Sequence, residues 1–393
     1  MTNTESVRIG VWFVGARGSV ATTAMMGAAA ARDGNATTVG CVTEGPDFQG
    51  AELPSLGNLV FGGHDICETP LPKRAEQLAH AGVAPARLPE LVRADLAAAD
   101  AEVLPGTPVF DADRSQREIT TLLARDLRSF RERHELSRVV VVNVSSTEPR
   151  PSPRPEHERL EELERALDDS EPGREILPPS SLYAYTALRA GCPYVDFTPS
   201  LGARVPALDE LARQQRVPYA GSDGKTGETL VKSALLPMFA ARRLHVLSWS
   251  GTNLLGGGDG HTLSTPENVT SKTSSKQRAL GESLGHPVDG DVHIDYVAEL
   301  GEHKTAWDHV LFEGFLGARM SLQFTWQGCD SALAAPLVLD LARLLARAHE
   351  TGHAGALPDL AFFFKDPVGV DEHRLEAQYE MLRRFAESLG EAR

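Results

Sequence analysis

Lysines are gathered at a few places in a 393-residue chain whose formal net charge is −15. In TSKTSSKQR (270–278), Lys272 and Lys276 stand four apart. On a helix that spacing puts two ammonium groups on one face, which destabilises the helix by about 0.2–0.5 kcal/mol. Between Ser222 and Ala279 there are seven Lys/Arg against four Asp/Glu, a local charge of +3. Glycine-dense turns interleave with these lysines: GSDGKTGETLVK (221–232), which carries Lys225, and LLGGGDG (254–260). Glycine turns let backbone N–H groups converge on an anion, and lysines add charge. A solvated helix face explains scattered lysines but not the glycines between them, so the region reads as a phosphate pocket. In FFFKDP (362–367), Lys365 follows three phenylalanines. A lysine drawn toward an apolar interior has a depressed pKa and can serve as an acid or base.

The elements that would position these groups are legible in part. VRIGVWFVGARGSVATTAMMGAAAAR (7–32) reads as a strand over Val7–Val14, a turn bracketed by Gly15 and Gly18, and an alanine-rich helix over Thr22–Arg32. GCVTE (40–44) predicts the end of a second strand at Glu44. In a dinucleotide site the turn glycines admit a pyrophosphate at the helix N-terminus, and an acidic residue ending the second strand holds the ribose hydroxyls. Such a residue repels a 2′-phosphate and so favours NAD over NADP. The spacing here is GxxG rather than GxGxxG, and a plain strand–turn–helix fits the same residues. RVVVVNVSSTEP (138–149) predicts a buried parallel strand that runs into a polar edge from Asn143 to Glu148; a capped helix start is the other reading of that edge. CPYVDFTPS (192–200) predicts a strand ending at Thr198, Pro199 and Ser200. Leu160, Leu163 and Leu167 mark the core face of a helix.

Composition narrows the function classes. With 41% hydrophobic and 24% charged residues, the chain is expected to fold as two or three globular domains. Its acidity argues against nucleic acid as a partner, because phosphate-backbone binding needs a basic face. MTNTESVRIG has neither a basic n-region nor a long apolar run, so no secretory leader is expected. SALAAPLVL (331–339) is the most apolar stretch and is too short to span a bilayer, so no membrane partner is expected. Cys41, Cys67, Cys192 and Cys329 form no CxxC pair, and buried free thiols in a reducing cytoplasm are expected.

These residues, taken with others in order along the chain, resemble the myo-inositol-1-phosphate synthase family in its shorter prokaryotic and archaeal form. The matching motifs are VGARGSVATT, FGGHD, NVSSTEP, LYAYTALRAGCPYVDFTPS, GSDGKTGETLVK, DGHTLS, SKTSSK, HKTAWD, DSALAAPLVLDLAR and FFFKDP. The resemblance implies an α/β fold: a Rossmann dinucleotide-binding domain (1–228, returning at 330–393) interrupted by an α+β catalytic and tetramerisation domain (229–329). It implies bound NAD, a sugar-phosphate substrate, a homotetramer, and room for a divalent or monovalent cation. By motif, Gly15, Ala16, Arg17, Gly18, Ser19, Val20, Glu44, Asn143, Ser145, Ser146, Thr147, Thr198, Asp223 and Gly224 are assigned to the cofactor. Lys272, Lys276, Lys304 and Lys365 match the family lysines, with Asp223, Asp259, Asp330 and Asn253 beside them. Lys365 would move the proton of the C5 hydroxyl, Lys276 and Lys304 would stabilise oxyanions, and Lys272 would contact phosphate. The implied reaction turns glucose 6-phosphate into inositol 1-phosphate without net redox change. One departure stands out: Gly251-Thr252-Asn253 replaces the family's Ser-Tyr-Asn. A missing tyrosine beside the substrate would suit fructose 6-phosphate and a five-membered carbocycle. A sugar-phosphate dehydrogenase that releases NADH is a further alternative.

Overall fold

The computed structural model describes residues 7–106, 113–149, 151–256 and 284–391. They divide into two compact units. The first comprises residues up to Gly224, Ala334–Asp371 and Glu380 onward; the second comprises Lys225–Leu333 and Glu372–Tyr379.

The first unit is built on a seven-stranded sheet. Its first six strands are β1 (Ile9–Val14), β2 (Leu59–Asp65), β3 (Val103–Pro105), β4 (Arg138–Asn143), β5 (Tyr194–Asp196) and β6 (Pro218–Gly221). The spatial order is β3-β2-β1-β4-β5-β6, followed by a two-residue strand at Gly355–Ala356, and every pairing is parallel. This is the order of a doubly wound dinucleotide fold, in which chain direction reverses between β1 and β4. The strand sequences suit it: IGVWFV is buried at all six positions, as a strand covered on both faces requires. Trp12, Val141, Phe130 and Leu163 share one core cluster with Tyr194 and Leu211. Leu160, Leu163 and Leu167 face that core as their spacing predicts.

The expected strand ending at Glu44 does not form. Val42–Glu44 is a single 3-10 turn, and LVFGGHD takes the place beside β1 as β2. Residues 42–44 are fastened to helix Asp330–Glu350 instead. The buried Asp340 carboxylate accepts from Val42 N at 2.6 Å and Thr43 N at 3.3 Å. Arg343 reaches Pro54 O at 2.6 Å and Thr43 Oγ1 at 2.9 Å.

The second unit holds a four-stranded sheet: β7 (His245–Leu255), β8 (Val292–Tyr296), β9 (His303–Glu313) and β10 (Arg319–Cys329), in the order β10-β9-β7-β8. β9 runs antiparallel to both β7 and β10, while β8 runs parallel to β7. Side chains alternate between its two faces. Trp249, Gly251, Asn253 and Leu255 share the inner face with Lys304, Ala306, Asp308 and Val310. Helix Glu228–Ala241 covers that face, with Phe239 5.1 Å from Phe312 and 6.2 Å from Trp249 between ring centroids. The helix also carries a buried ion cluster. Lys232 lies on Glu228 one turn away and 3.1 Å from Asp308, whose Oδ1 accepts from Trp249 Nε1 at 2.7 Å.

Candidate functional site

In the first unit the turn after β1 meets the loop after β4, at the carboxyl ends of the two strands where the sheet order reverses. Gly15 has φ +88°, and a Cβ there would stand 2.9 Å from Ser145 Cα, so only glycine fits. His64 shapes the same turn from β2: its carbonyl accepts from Gly15 N at 2.9 Å and Ala16 N at 3.2 Å. The ring is fixed as well, since His64 Nδ1 accepts from Trp12 Nε1 at 3.1 Å and Nε2 lies 3.3 Å from Asp126. Helix Ser19–Arg32 begins immediately beyond, at Gly18, with no side-chain cap and no acidic residue in its first turn. Such an N-terminus favours an anion.

Asp65 ends β2 beside this turn. Its Oδ2 accepts from Arg17 N at 2.6 Å and its Oδ1 from Cys67 N at 2.7 Å. Asp65 therefore occupies the acidic position at the end of the second strand that the sequence reading gave to Glu44. Glu44 itself pairs with Arg343 at 2.6 Å. Ile66, next in the chain, is an exposed large apolar side chain. The quoted motif FGGHD held the signal for Asp65; what obscured it was the length of the segment between helix Ser19–Arg32 and β2.

The loop after β4 is a loop, not a capped helix start. Asn143 and Thr198, both assigned to a cofactor, are buried and engaged with Asp196. Asn143 Nδ2 lies 3.3 Å from Asp196 Oδ1, and Thr198 donates to that oxygen through N at 2.9 Å and Oγ1 at 2.7 Å. Burial raises the Asp196 carboxyl to about 6 against these donors. Ser145 bonds Asn143 Oδ1 through Oγ at 2.7 Å, while Ser146 is exposed and Thr147 half-buried. Glu148 accepts from Ser180 N at 2.6 Å and Oγ at 2.8 Å, and burial pushes its carboxyl up to about 7.

Beyond β6, Asp223 and Lys365 come together. Lys365 Nζ donates to Asp223 Oδ1 at 2.8 Å and Lys365 N donates to Asp223 O at 2.7 Å. The Lys365 side chain is 34% exposed, so it is not sealed among phenylalanines as FFFKDP suggests: Phe363 and Phe364 are buried and leave the lysine on a carboxylate. Gly224 donates to Phe197 O at 3.0 Å.

In the second unit, Lys304 Nζ lies 3.5 Å from Asp330 Oδ2, and Thr226 Oγ1 lies 3.4 Å from Asp330 Oδ1. Asn253 is 2% exposed, and neither amide atom has a partner among the described residues. Lys225, placed by its glycines in a presumed anion turn, is instead buried and donates to Gln378 Oε1; burial lowers its pKa to about 8. Thr252 overturns an expectation. It pairs with Trp307 on the face opposite Asn253, beside His293, so its substitution opens no space on the Asn253 side. Lys272, Lys276 and Asp259 lie outside the described residues. Among the described residues no group of three or more His, Cys, Asp or Glu is placed to hold a metal, and no helix is long and apolar enough to cross a membrane. Of the four free cysteines, Cys192 and Cys329 are buried and Cys67 is exposed.

Comparison with known proteins follows the same line. An NAD-binding family model described as myo-inositol-1-phosphate synthase matches residues 9–386. The chain is 33% identical to inositol-3-phosphate synthase 1 of Bacteroides thetaiotaomicron, over 96% of this chain and 94% of that protein. It is 31% identical to inositol-3-phosphate synthase 1 of Homo sapiens over 79% of this chain and 60% of the human protein. The crystal structure of inositol-3-phosphate synthase from Caenorhabditis elegans superposes with a TM-score of 0.82 at 23% identity, covering 98% of this chain and 86% of that one. A myo-inositol-1-phosphate synthase-related protein from Thermotoga maritima gives 0.77 at 23% identity, covering 96% and 98%. The chain belongs to the myo-inositol-1-phosphate synthase family and is an isomerase of that type.

Proposed function

We propose that this enzyme converts glucose 6-phosphate to inositol 1-phosphate on a retained NAD. The near full-length match to a bacterial inositol-3-phosphate synthase supports this reading most strongly. The residues at the sheet's reversal point fit the cofactor: a turn clear of side chains at Gly15, an uncapped helix N-terminus at Gly18 for the pyrophosphate, and Asp65 for the ribose hydroxyls. Ile66 offers an apolar surface to the adenine. Asp65 replaces Glu44 in this role, and its charge opposes a 2′-phosphate, which favours NAD over NADP.

Held at Gly15, Gly18 and Asp65, NAD would supply reversible hydride acceptance at C5, so that the overall conversion involves no net oxidation. Asp223 fixes Lys365 Nζ, and this pair handles the proton of the C5 hydroxyl. The C5 ketone acidifies C6, and loss of a C6 proton places negative charge on oxygen. Lys304, held by Asp330, stabilises that charge and the alkoxide formed when C6 attacks the C1 aldehyde. Lys276 shares this work and Lys272 binds the phosphate, by resemblance. A homotetramer and a cytoplasmic setting belong to the same reading. The fructose 6-phosphate alternative rests on Thr252, which stands on the other face of its sheet. Glucose 6-phosphate deuterated at C5 tests the cycle: the inositol phosphate should keep the deuterium with no accumulation of NADH. Deuterium lost to a free reduced cofactor would assign the chain to the dehydrogenase alternative.

A further inference from the structure

The inner face of the four-stranded sheet also carries Trp326, which the proposed chemistry has not used. Trp326 on β10 pairs with Ala306 on β9, and Ala306 pairs with Asn253 on β7. Adjacent strands lie about 4.8 Å apart, so an indole and a primary amide stand about 10 Å apart along one row, with only a methyl group between them. Lys304 is two residues along β9 on the same face.

Asn253 in this row is unsatisfied. Neither amide atom of the buried Asn253 has a partner among the described residues, a state that buried polar groups rarely show. The indole N–H groups of Trp12 and Trp249 bond His64 and Asp308, whereas the half-buried Trp326 makes no such bond within the described residues, which leaves its N–H to water or a ligand. The backbone is also cut back to fit this ring: a Cβ on Gly227 would stand 2.8 Å from Trp326 Nε1. Thr226, the residue before it, reaches the same Asp330 carboxylate that lies 3.5 Å from Lys304.

We propose that Trp326 is a substrate-contacting specificity residue. Its ring packs on the C–H face of an open-chain hexose phosphate, its Nε1–H donates to one substrate hydroxyl, and the Asn253 amide engages another. This assignment rests on the sugar-phosphate reading above. It gives that reading a shape requirement, an extended polyol chain with one apolar side, that lysines alone do not impose.

The test uses glucitol 6-phosphate, an acyclic hexitol phosphate, titrated calorimetrically into NADH-saturated enzyme. Trp326→Leu removes both the ring and its donor and should weaken binding at least tenfold. Trp326→Phe keeps a ring and should weaken it about threefold or more, by less than leucine does. Both variants should bind NAD within twofold of wild type. Hexitol phosphate affinity within twofold of wild type in both variants would overturn the proposal. So would a parallel loss of NAD binding, which would mark the tryptophan as structural. If Trp326→Leu does not fold, Trp326→Phe decides alone. Wild-type enzyme that binds no hexitol phosphate and cyclises no glucose 6-phosphate would remove the underlying reading instead.

Discussion

Replacing Asp65 by asparagine tests where the ribose of the cofactor is held. The carboxylate sits at the end of β2, with Oδ2 on Arg17 N at 2.6 Å and Oδ1 on Cys67 N at 2.7 Å, and a ribose hydroxyl would donate to its remaining lone pairs. A hydrogen bond to a charged group contributes roughly 1.5–3 kcal/mol. Losing one should raise the Kd for NAD roughly ten- to hundredfold. Removal of the charge should also relax discrimination against NADP. Glu44→Gln serves as the comparison, because Glu44 is spent on Arg343 at 2.6 Å and should leave the NAD affinity within twofold. Asparagine keeps one neutral acceptor oxygen, so one of the two backbone amides also loses its acceptor; a thermal midpoint within about 4 °C of wild type would show that the turn survives. Calorimetric titration with NAD and NADP reads the affinities, and a thermal melt reads the midpoint. An Asp65→Asn variant within twofold of wild type, or a Glu44→Gln variant equally impaired, would refute the assignment.

Lys304→Ala and Lys365→Ala should each lower turnover roughly 100- to 1000-fold, the scale of a lost oxyanion contact of about 2.7–4 kcal/mol. NAD binding should stay within threefold, and either variant keeping more than a tenth of the wild-type rate would remove that lysine from the chemistry. Thr252→Tyr should leave the ratio of kcat/KM for glucose 6-phosphate and fructose 6-phosphate unchanged, since the residue faces Trp307 and not Asn253; a tenfold shift would restore it to the substrate side. Burial raises the carboxyls of Asp340 and Glu148 to about 7 and that of Asp196 to about 6. Each is protonated in the fold but ionised in the unfolded chain between about pH 4 and 6, so unfolding there releases protons and stability falls as pH rises. The thermal midpoint should therefore drop from pH 5 to pH 7.5, and drop less in Asp340→Asn; equal slopes in the two proteins would contradict the assignment.

The first strand, its glycine turn and the helix beyond are legible in the sequence because each depends on local chemistry. An unbroken apolar run, a glycine at φ +88° and an alanine-rich stretch specify them with little help from distant residues. The second strand is not legible in the same way. GCVTE has strand-like residues, but what settles its conformation is Asp340 and Arg343, some 300 positions away in the chain, and no local pattern reports such a contact. Thr252 failed for a different reason. Its distance in sequence from Asn253 is one residue, yet in a strand one residue is a change of face, and which face was buried depended on helix Glu228–Ala241. The lysine–aspartate pairs lie between these cases. Residue type and motif named Lys365, Lys304, Asp223 and Asp330, while only the fold reveals that Lys365 rests on Asp223 rather than among its phenylalanines.

The central claim is ring closure on glucose 6-phosphate without net oxidation. Nuclear magnetic resonance of the product, after incubation of the enzyme with catalytic NAD and either glucose 6-phosphate or fructose 6-phosphate, tests it most directly. An inositol phosphate is expected from glucose 6-phosphate, formed in many-fold excess over NAD, with kcat/KM at least tenfold above that for fructose 6-phosphate. A five-membered carbocycle formed preferentially from fructose 6-phosphate, or an uncyclised keto sugar formed in step with NADH, would contradict it.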